Sequence, residues 1–390
     1  MKPTESGLRA LLVFVAFSFA LGLIEAGIRI FFLSNPWTTQ NFTVEVVNQQ
    51  ASNLAILYDP VIGYVPRGMY RWDKYSGGEK GIRLNATLPT DAPWPTPLKG
   101  GILAVGDSFT YGSEVHDSES WPAQLEFMLG MPVLNAGAGG YGIDQAVLRA
   151  EQLLDTVEPV AIVVSFIPNC VGRNEFSLHS GGLSKPYFDV VDGRLELRNV
   201  PVPAYRPAIE HIGHVRAILG YSYTLLWLAD RLGFRSRWLV FEPETRVVHN
   251  KGAEVSCLLW HRLAERVAGR NIRLMALAQY AGIQVGGEDA SRKSNHVEKI
   301  LECAREAGYL VVDSYPDLRR AFETDPASFW SLWVKQTYDK GTQHTGHMSA
   351  SGNRFTASLL SEAIRAELPE LLQIKQSPRP QTASVRPPTR

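Results

Sequence analysis

The chain has 390 residues, 39 Lys plus Arg against 39 Asp plus Glu, and 45% hydrophobic residues. That length leaves room for two domains or for one decorated α/β domain. The zero net charge, with no Lys/Arg cluster outside the last residues, argues against nucleic acid as a partner. Three cysteines, Cys170, Cys257 and Cys303, are too few for a disulfide framework and lack metal-ligand spacing. A single Cys257–Cys303 bridge stays open.

The chain begins with a membrane signal. No charge occurs from Ala10 to Ile24, and apolar character resumes through Ile30-Phe31-Phe32-Leu33. With Glu25 and Arg29, which sit at i,i+4 and can pair, the stretch reaches the roughly 20 residues needed to span a bilayer. Lys2 and Arg9 precede it, and after Arg29 the next basic residue is Arg67. The positive-inside rule therefore places residues 1–7 in the cytoplasm, 8–33 in the membrane as an uncleaved signal anchor, and the body outside, periplasmic or extracellular. A cleaved signal peptide is the rival reading.

Residues 34–98 read as an extracytoplasmic lead-in, with turn formers around Tyr58–Pro66 and a Pro-rich stretch at 88–97 that wraps the surface. The α/β pattern starts at Gly101. Strand 102–105 is followed by a helix over 121–129, strand 132–135, a helix over 144–156 and the apolar strand 160–166. An uninterrupted apolar run belongs to a strand covered on both faces, hence to a parallel sheet. Residues 175–250 are less regular and read as an insertion, with a hairpin around Asp192-Gly193 and an aromatic-rich helix over 216–232. Helices over 254–268, 296–307 and 352–366 and strands over 272–278 and 309–313 complete the pattern. The Pro-rich basic stretch 375–390 lacks apolar residues to bury, and residues 371–390 are expected to be a disordered tail.

Four segments carry chemistry. Gly106-Asp107-Ser108 follows the strand Gly101-Ile102-Leu103-Ala104-Val105, and a Ser lifted out of a strand end by a tight turn is free to attack a carbonyl. Asn135-Ala-Gly-Ala-Gly-Gly-Tyr-Gly142 follows the second strand, and Ile167-Pro168-Asn169-Cys170 the third. His344-Thr-Gly-His347 stands just before the last helix. The glycines at 137, 139 and 142 loosely imitate a dinucleotide loop, but no acid ends a following strand about 20 residues on. His344 and His347 lack a third metal ligand. No cofactor or metal is expected.

This ordered set resembles the GDSL/SGNH hydrolase family over residues 99–370. The resemblance implies a three-layer α/β/α, flavodoxin-like domain with a central parallel sheet, tethered by the N-terminal transmembrane helix. It implies Ser108 as nucleophile, His347 as base, and an oxyanion hole from the backbone N–H groups of Ser108 and Gly140 and the side-chain amide of Asn169. Two positions depart from the family pattern. The third block has Ile167 and Cys170 where Gly and Asp are usual. The base-orienting Asp is replaced by His344, whose neutral imidazole can accept a hydrogen bond but cannot steady an imidazolium. The chain then uses a Ser–His dyad, or another acid such as Asp339. The implied function is a serine esterase acting on a carboxylic ester, an O-acyl group on a surface or exported saccharide. Two alternatives stand beside it: an O-acyltransferase using the same residues in polysaccharide acetylation, and a degenerate, non-catalytic glycan-binding member motivated by His344.

Overall fold

The computed structural model describes residues 5–42, 44–45, 56–72, 74–86, 99–179, 183–204, 212–241, 246–286, 290–337 and 343–373. The Pro-rich stretch at 88–97 and the tail beyond 373 lie outside them. The chain divides into two compact units, one of Met1–Ser52, Ser180–Gly182 and Tyr205–Glu244, the other of Asn53–His179, Leu183–Ala204 and Thr245–Arg390. The sequence-defined insertion is therefore shared between the two.

The larger unit is built on a five-stranded parallel sheet. Its strands are β1 (Ile102–Val105), β2 (Val133–Asn135), β3 (Ala161–Phe166), β4 (Arg273–Ala278) and β5 (Leu310–Asp313), in the order β5-β4-β3-β1-β2. This is the doubly wound, flavodoxin-like order, in which the chain runs outward in opposite directions from β1 and β3. β1 and β3 are buried at every position, which explains their uninterrupted apolar sequences. On one face, Ile102, Ala104, Val163, Met275 and Leu277 pack with Trp121 and Leu125 of the helix Trp121–Leu129 and with Leu360 and Ile364 of the helix Ala350–Glu367. The alternate residues Leu103, Val105, Ile162 and Val164 are equally buried. Helix Ile143–Val157 packs against Gly252–Val267, which packs against Ala290–Glu306. The Cys257–Cys303 disulfide ties the last two helices together.

Several elements depart from the pattern read in the sequence. The helix expected over 216–232 is two, His214–Leu219 and Tyr223–Arg231, because Ser222 caps the second by accepting from the Leu225 N–H. Residues 315–330, which carry no clear pattern in the sequence, form the helices Tyr315–Thr324 and Pro326–Trp330. The segment before the last helix is a hairpin, Trp333–Thr337 paired with Gln343–Met348. The lead-in forms two further hairpins, Ile56–Asp59 with Gly63–Pro66 and Tyr70–Trp72 with Tyr75–Gly77. The Asp192-Gly193 hairpin is present between Tyr187–Val191 and Arg194–Arg198, with φ of +49° and +73° at the two turn residues.

The smaller unit carries the helix Glu5–Phe32. Its segment Gly7–Phe32 has a mean hydropathy of 2.3 and is long and apolar enough to cross a membrane. Phe42, Leu226 and Leu239 form a small core there, joined by Leu33, Tyr223 and Trp238.

Candidate active site

Ser108 opens the short helix Ser108–Tyr111 directly after β1. At Gly106 a Cβ would come within 2.3 Å of Thr110 Oγ1 and 2.4 Å of the Ser165 carbonyl oxygen, so only glycine lets the chain turn there. Asp107 is buried; its carboxylate accepts from the Phe109 N–H at 3.0 Å and from Arg173 Nη1 at 3.1 Å. Those bonds hold the turn and leave Ser108 as the residue that reaches outward.

His347 is the next-to-last residue of its strand, just before Ser349 caps the last helix. Its Nε2 lies 2.8 Å from Ser108 Oγ. The Phe109 ring packs against the imidazole, with centroids 5.2 Å apart.

The group on the far side of the imidazole is one that sequence reasoning missed. Glu114 Oε2 lies 3.2 Å from His347 Nδ1 and accepts the His347 backbone N–H at 2.8 Å. Asp339 lies outside the described residues, and of His344 only the backbone, opposite Gln336, is described. Among the described residues it is Glu114 that faces His347 Nδ1. An ionised carboxylate can only accept, so Nδ1 carries the ring proton and Nε2 is left as the acceptor facing Ser108.

Glu114 sits in the left-handed region at φ +74°, which a non-glycine residue holds only when its surroundings fix it. The lead-in supplies that fixing. The Glu114 N–H donates to the Tyr75 hydroxyl at 2.8 Å, and its carbonyl accepts from Lys74 Nζ at 3.3 Å. Arg83, wholly buried, donates to the carbonyls of Tyr111, Gly112 and Val115 and to Asp117 Oδ1. Its guanidinium lies 4.8 Å and 5.0 Å from the ring centres of Tyr75 and Tyr111. Both flanks of Glu114 are therefore held by one side chain.

The expected oxyanion donors lie on the same edge of the sheet. Ser108, Gly140 and Asn169 follow the C-terminal ends of β1, β2 and β3, and β1 and β3 flank the point where the winding reverses. Gly140 has φ +79°, in a turn pinned by the Tyr64 hydroxyl, which donates to the Gly139 carbonyl at 2.8 Å. The Tyr141 hydroxyl donates back to the Tyr64 carbonyl at 2.5 Å. Asn169 Oδ1 accepts from Gln284 Nε2 at 2.7 Å, while Gln284 Oε1 accepts the Ala281 N–H at 2.9 Å. A backbone N–H is an unambiguous donor, so it fixes which end of Gln284 is oxygen, and Gln284 in turn leaves the Asn169 amide nitrogen free to face elsewhere.

Burial pushes the Cys170 thiol well above its usual range, which suits a packing residue rather than a nucleophile. Asn174 caps the helix Ile143–Val157 by accepting the Asp144 N–H at 3.1 Å. Among the described residues no cluster of His, Cys, Asp and Glu is arranged to hold a metal.

No protein-family profile and no curated protein matches the chain. Solved structures to which it is similar include a protein of the G-D-S-L family from Desulfitobacterium hafniense DCB-2, with 13% identity, a TM-score of 0.34, and 68% of this chain and 99% of that chain covered. A catalytic mutant of an acetylxylan esterase from Geobacillus stearothermophilus shares 14% identity at a TM-score of 0.38, with 69% and 95% covered. A lipase/acylhydrolase from Enterococcus faecalis shares 13% at 0.35, with 68% and 96% covered. Among solved structures its neighbours are thus G-D-S-L-type and esterase proteins, at distances too great to carry over an activity.

Proposed function

We propose that the chain is a serine esterase of the SGNH type, working through Ser108, His347 and Glu114 on a carboxylic ester. The observation that carries the reading is the continuous line Ser108 Oγ–His347 Nε2, His347 Nδ1–Glu114 Oε2, at 2.8 Å and 3.2 Å. Ser108 Oγ attacks the ester carbonyl as its proton passes to His347 Nε2. Glu114 steadies the resulting imidazolium. The tetrahedral oxyanion is received by the N–H groups of Ser108 and Gly140 and the Asn169 amide. His347 then protonates the departing alcohol, and a water, deprotonated by the same nitrogen, releases the acid from Ser108. A carboxylate at Nδ1 weighs against the degenerate, non-catalytic reading that His344 suggested.

The substrate class within this reading is an O-acyl group on a surface or exported saccharide, and the acetylxylan esterase among the solved structures is in keeping with it. The span-length helix Gly7–Phe32 anchors the protein in a membrane, with the hydrolase unit on the periplasmic or extracellular side. The Cys257–Cys303 disulfide supports that side, because such bonds persist in oxidising compartments.

The test is the full chain in detergent or nanodiscs with p-nitrophenyl acetate. Wild type is expected to release p-nitrophenol and Ser108→Ala to lose that release. Equal rates for the two overturn the enzymatic reading. Product analysis with an oligosaccharide acceptor separates hydrolysis from acyl transfer.

A further inference from the structure

Besides Arg9 near its start, the span holds two charges near its far end, Glu25 and Arg29, that need a reason, and the smaller unit supplies one. Glu25 Oε1 accepts the Tyr223 N–H at 2.7 Å, and Oε2 accepts from the Ser222 hydroxyl at 2.7 Å and the Thr224 N–H at 3.0 Å. Arg29 donates to Glu25, to the Thr38 carbonyl at 2.8 Å and to the Tyr221 carbonyl. Two turns further on, the Phe32 ring faces Trp227 with centroids 6.3 Å apart. The helix Tyr223–Arg231 therefore lies alongside the last turns of the N-terminal helix, fastened at both ends of the stretch 25–32.

That contact sets a depth. As a helix, the 26 residues Gly7–Phe32 are about 39 Å long, against about 30 Å of hydrocarbon in a bilayer. With Gly7 at one hydrocarbon face, Glu25 stands about 27 Å along, at the inner edge of the opposite headgroup layer, and Arg29 and Phe32 about 33 and 38 Å along, within it, so the segment bonded to them stands at that level too.

Resting on the anchor reading above, we propose that residues 212–241 form a membrane-interface platform whose exposed apolar face lies in the headgroup layer of the bilayer the anchor crosses. The residues facing outward fit that occupant. Val215, Ile218 and Leu219, at i, i+3 and i+4, are 63%, 74% and 46% exposed. Leu232 and Trp37 are equally uncovered, and a Trp at this level is the usual interfacial residue. Within 212–241 there are Arg216, Arg231, Arg235 and Arg237 but a single acid, Asp230. An arginine-rich segment with an exposed apolar face suits an anionic lipid surface.

The experiment reconstitutes the full chain in phosphatidylcholine/phosphatidylglycerol vesicles. A fluorophore is attached to Ile218→Cys, to Val13→Cys in the anchor, or to Arg194→Cys on the exposed hairpin. The native Cys170 is buried and the other two cysteines are bonded. The probe at 218 is expected to be quenched by lipids carrying a shallow nitroxide and to be several-fold less sensitive to aqueous iodide than the probe at 194. If 13 is quenched by deep-nitroxide lipids while 218 is as open to iodide as 194, the anchor stands and the platform falls. If 218 is shielded from iodide yet unquenched by lipid, a second copy or another protein covers the face, and the proposal is overturned. If 13 is unquenched by lipid, the anchor reading itself fails and the platform with it.

Discussion

One carboxylate oxygen, Glu114 Oε2, meets His347 twice, at the ring nitrogen Nδ1 and at the backbone nitrogen. The same atom thus fixes the position of the strand and the orientation of the ring. Glu114→Gln keeps the shape but offers an uncharged partner that can donate to Nδ1 and so favour the wrong tautomer. In a serine protease the comparable change costs about 10⁴-fold in kcat. A loss of at least two orders of magnitude in kcat with little change in KM is expected here. Rates within twofold of wild type would remove Glu114 from the site.

Gln284 is expected to act on the reaction through Asn169 without touching substrate. Gln284→Glu preserves size but makes the group facing Asn169 an acceptor. The Asn169 amide must then rotate to donate to it, turning its own oxygen toward the forming oxyanion. The variant should approach Asn169→Ala, for which loss of one donor costs about 10²–10³ in kcat. Gln284→Met, which leaves Asn169 unbiased, should fall between Gln284→Glu and wild type. Equal kcat in Gln284→Glu and wild type would show that the Asn169 orientation does not matter.

Arg83 predicts a stability effect. Its guanidinium is buried with Asp117 at 2.9 Å, both side chains almost wholly shielded. Arg83→Leu takes the cation from a buried carboxylate that keeps the Ser76 N–H at 3.0 Å and takes a donor from several carbonyls, a change that costs about 3–5 kcal/mol. Urea denaturation should show that loss. A loss below about 1 kcal/mol, the scale of an exposed ion pair, would mean the pair is solvated.

Asp313 gives a pH signature. Burial pushes its carboxyl above the usual carboxylate range, although the Tyr280 hydroxyl and the Tyr315 N–H donate to it at 2.8 Å and 3.0 Å. The folded state therefore holds this proton more tightly than the unfolded chain. The contribution of Asp313 to stability is present below the ordinary carboxylate pKa and is lost as pH rises through the raised folded value. Asp313→Asn keeps an acceptor and removes the charge. Its stability relative to wild type should rise between pH 4 and pH 7, read from denaturation midpoints. A difference independent of pH would count against the burial effect.

What could be read in the sequence follows from where each residue sits. Ser108 and Asn169 follow strands buried on both faces, whose apolar runs announce themselves, and His347 immediately precedes a capped helix. Glu114 stands in an irregular loop, Tyr111 to Asp117, where no periodicity marks a partner. Its only local sign is a carboxylate six residues after the serine and two after a glycine. The hairpin that carries His347 was hidden because Gly346 and its polar neighbours break the apolar alternation a strand displays. The split of the 216–232 helix turned on Ser222, a capping residue inside an apolar stretch. Arg83 and Tyr75 could not be assigned at all, since their role depends on contacts some 30 to 40 residues away in the chain.

The lead-in changes where the unit that holds Ser108 and His347 must be said to start. Tyr64 braces the turn at Gly139, and Tyr75 with Arg83 braces the loop at Glu114. A polypeptide begun at β1, the natural place to cut by strand pattern, would retain Ser108 and His347 yet lose the supports on both sides of them. The body that frames Ser108 and His347 extends back at least to the hairpin at Ile56, and what reads as a stalk is part of the site's frame.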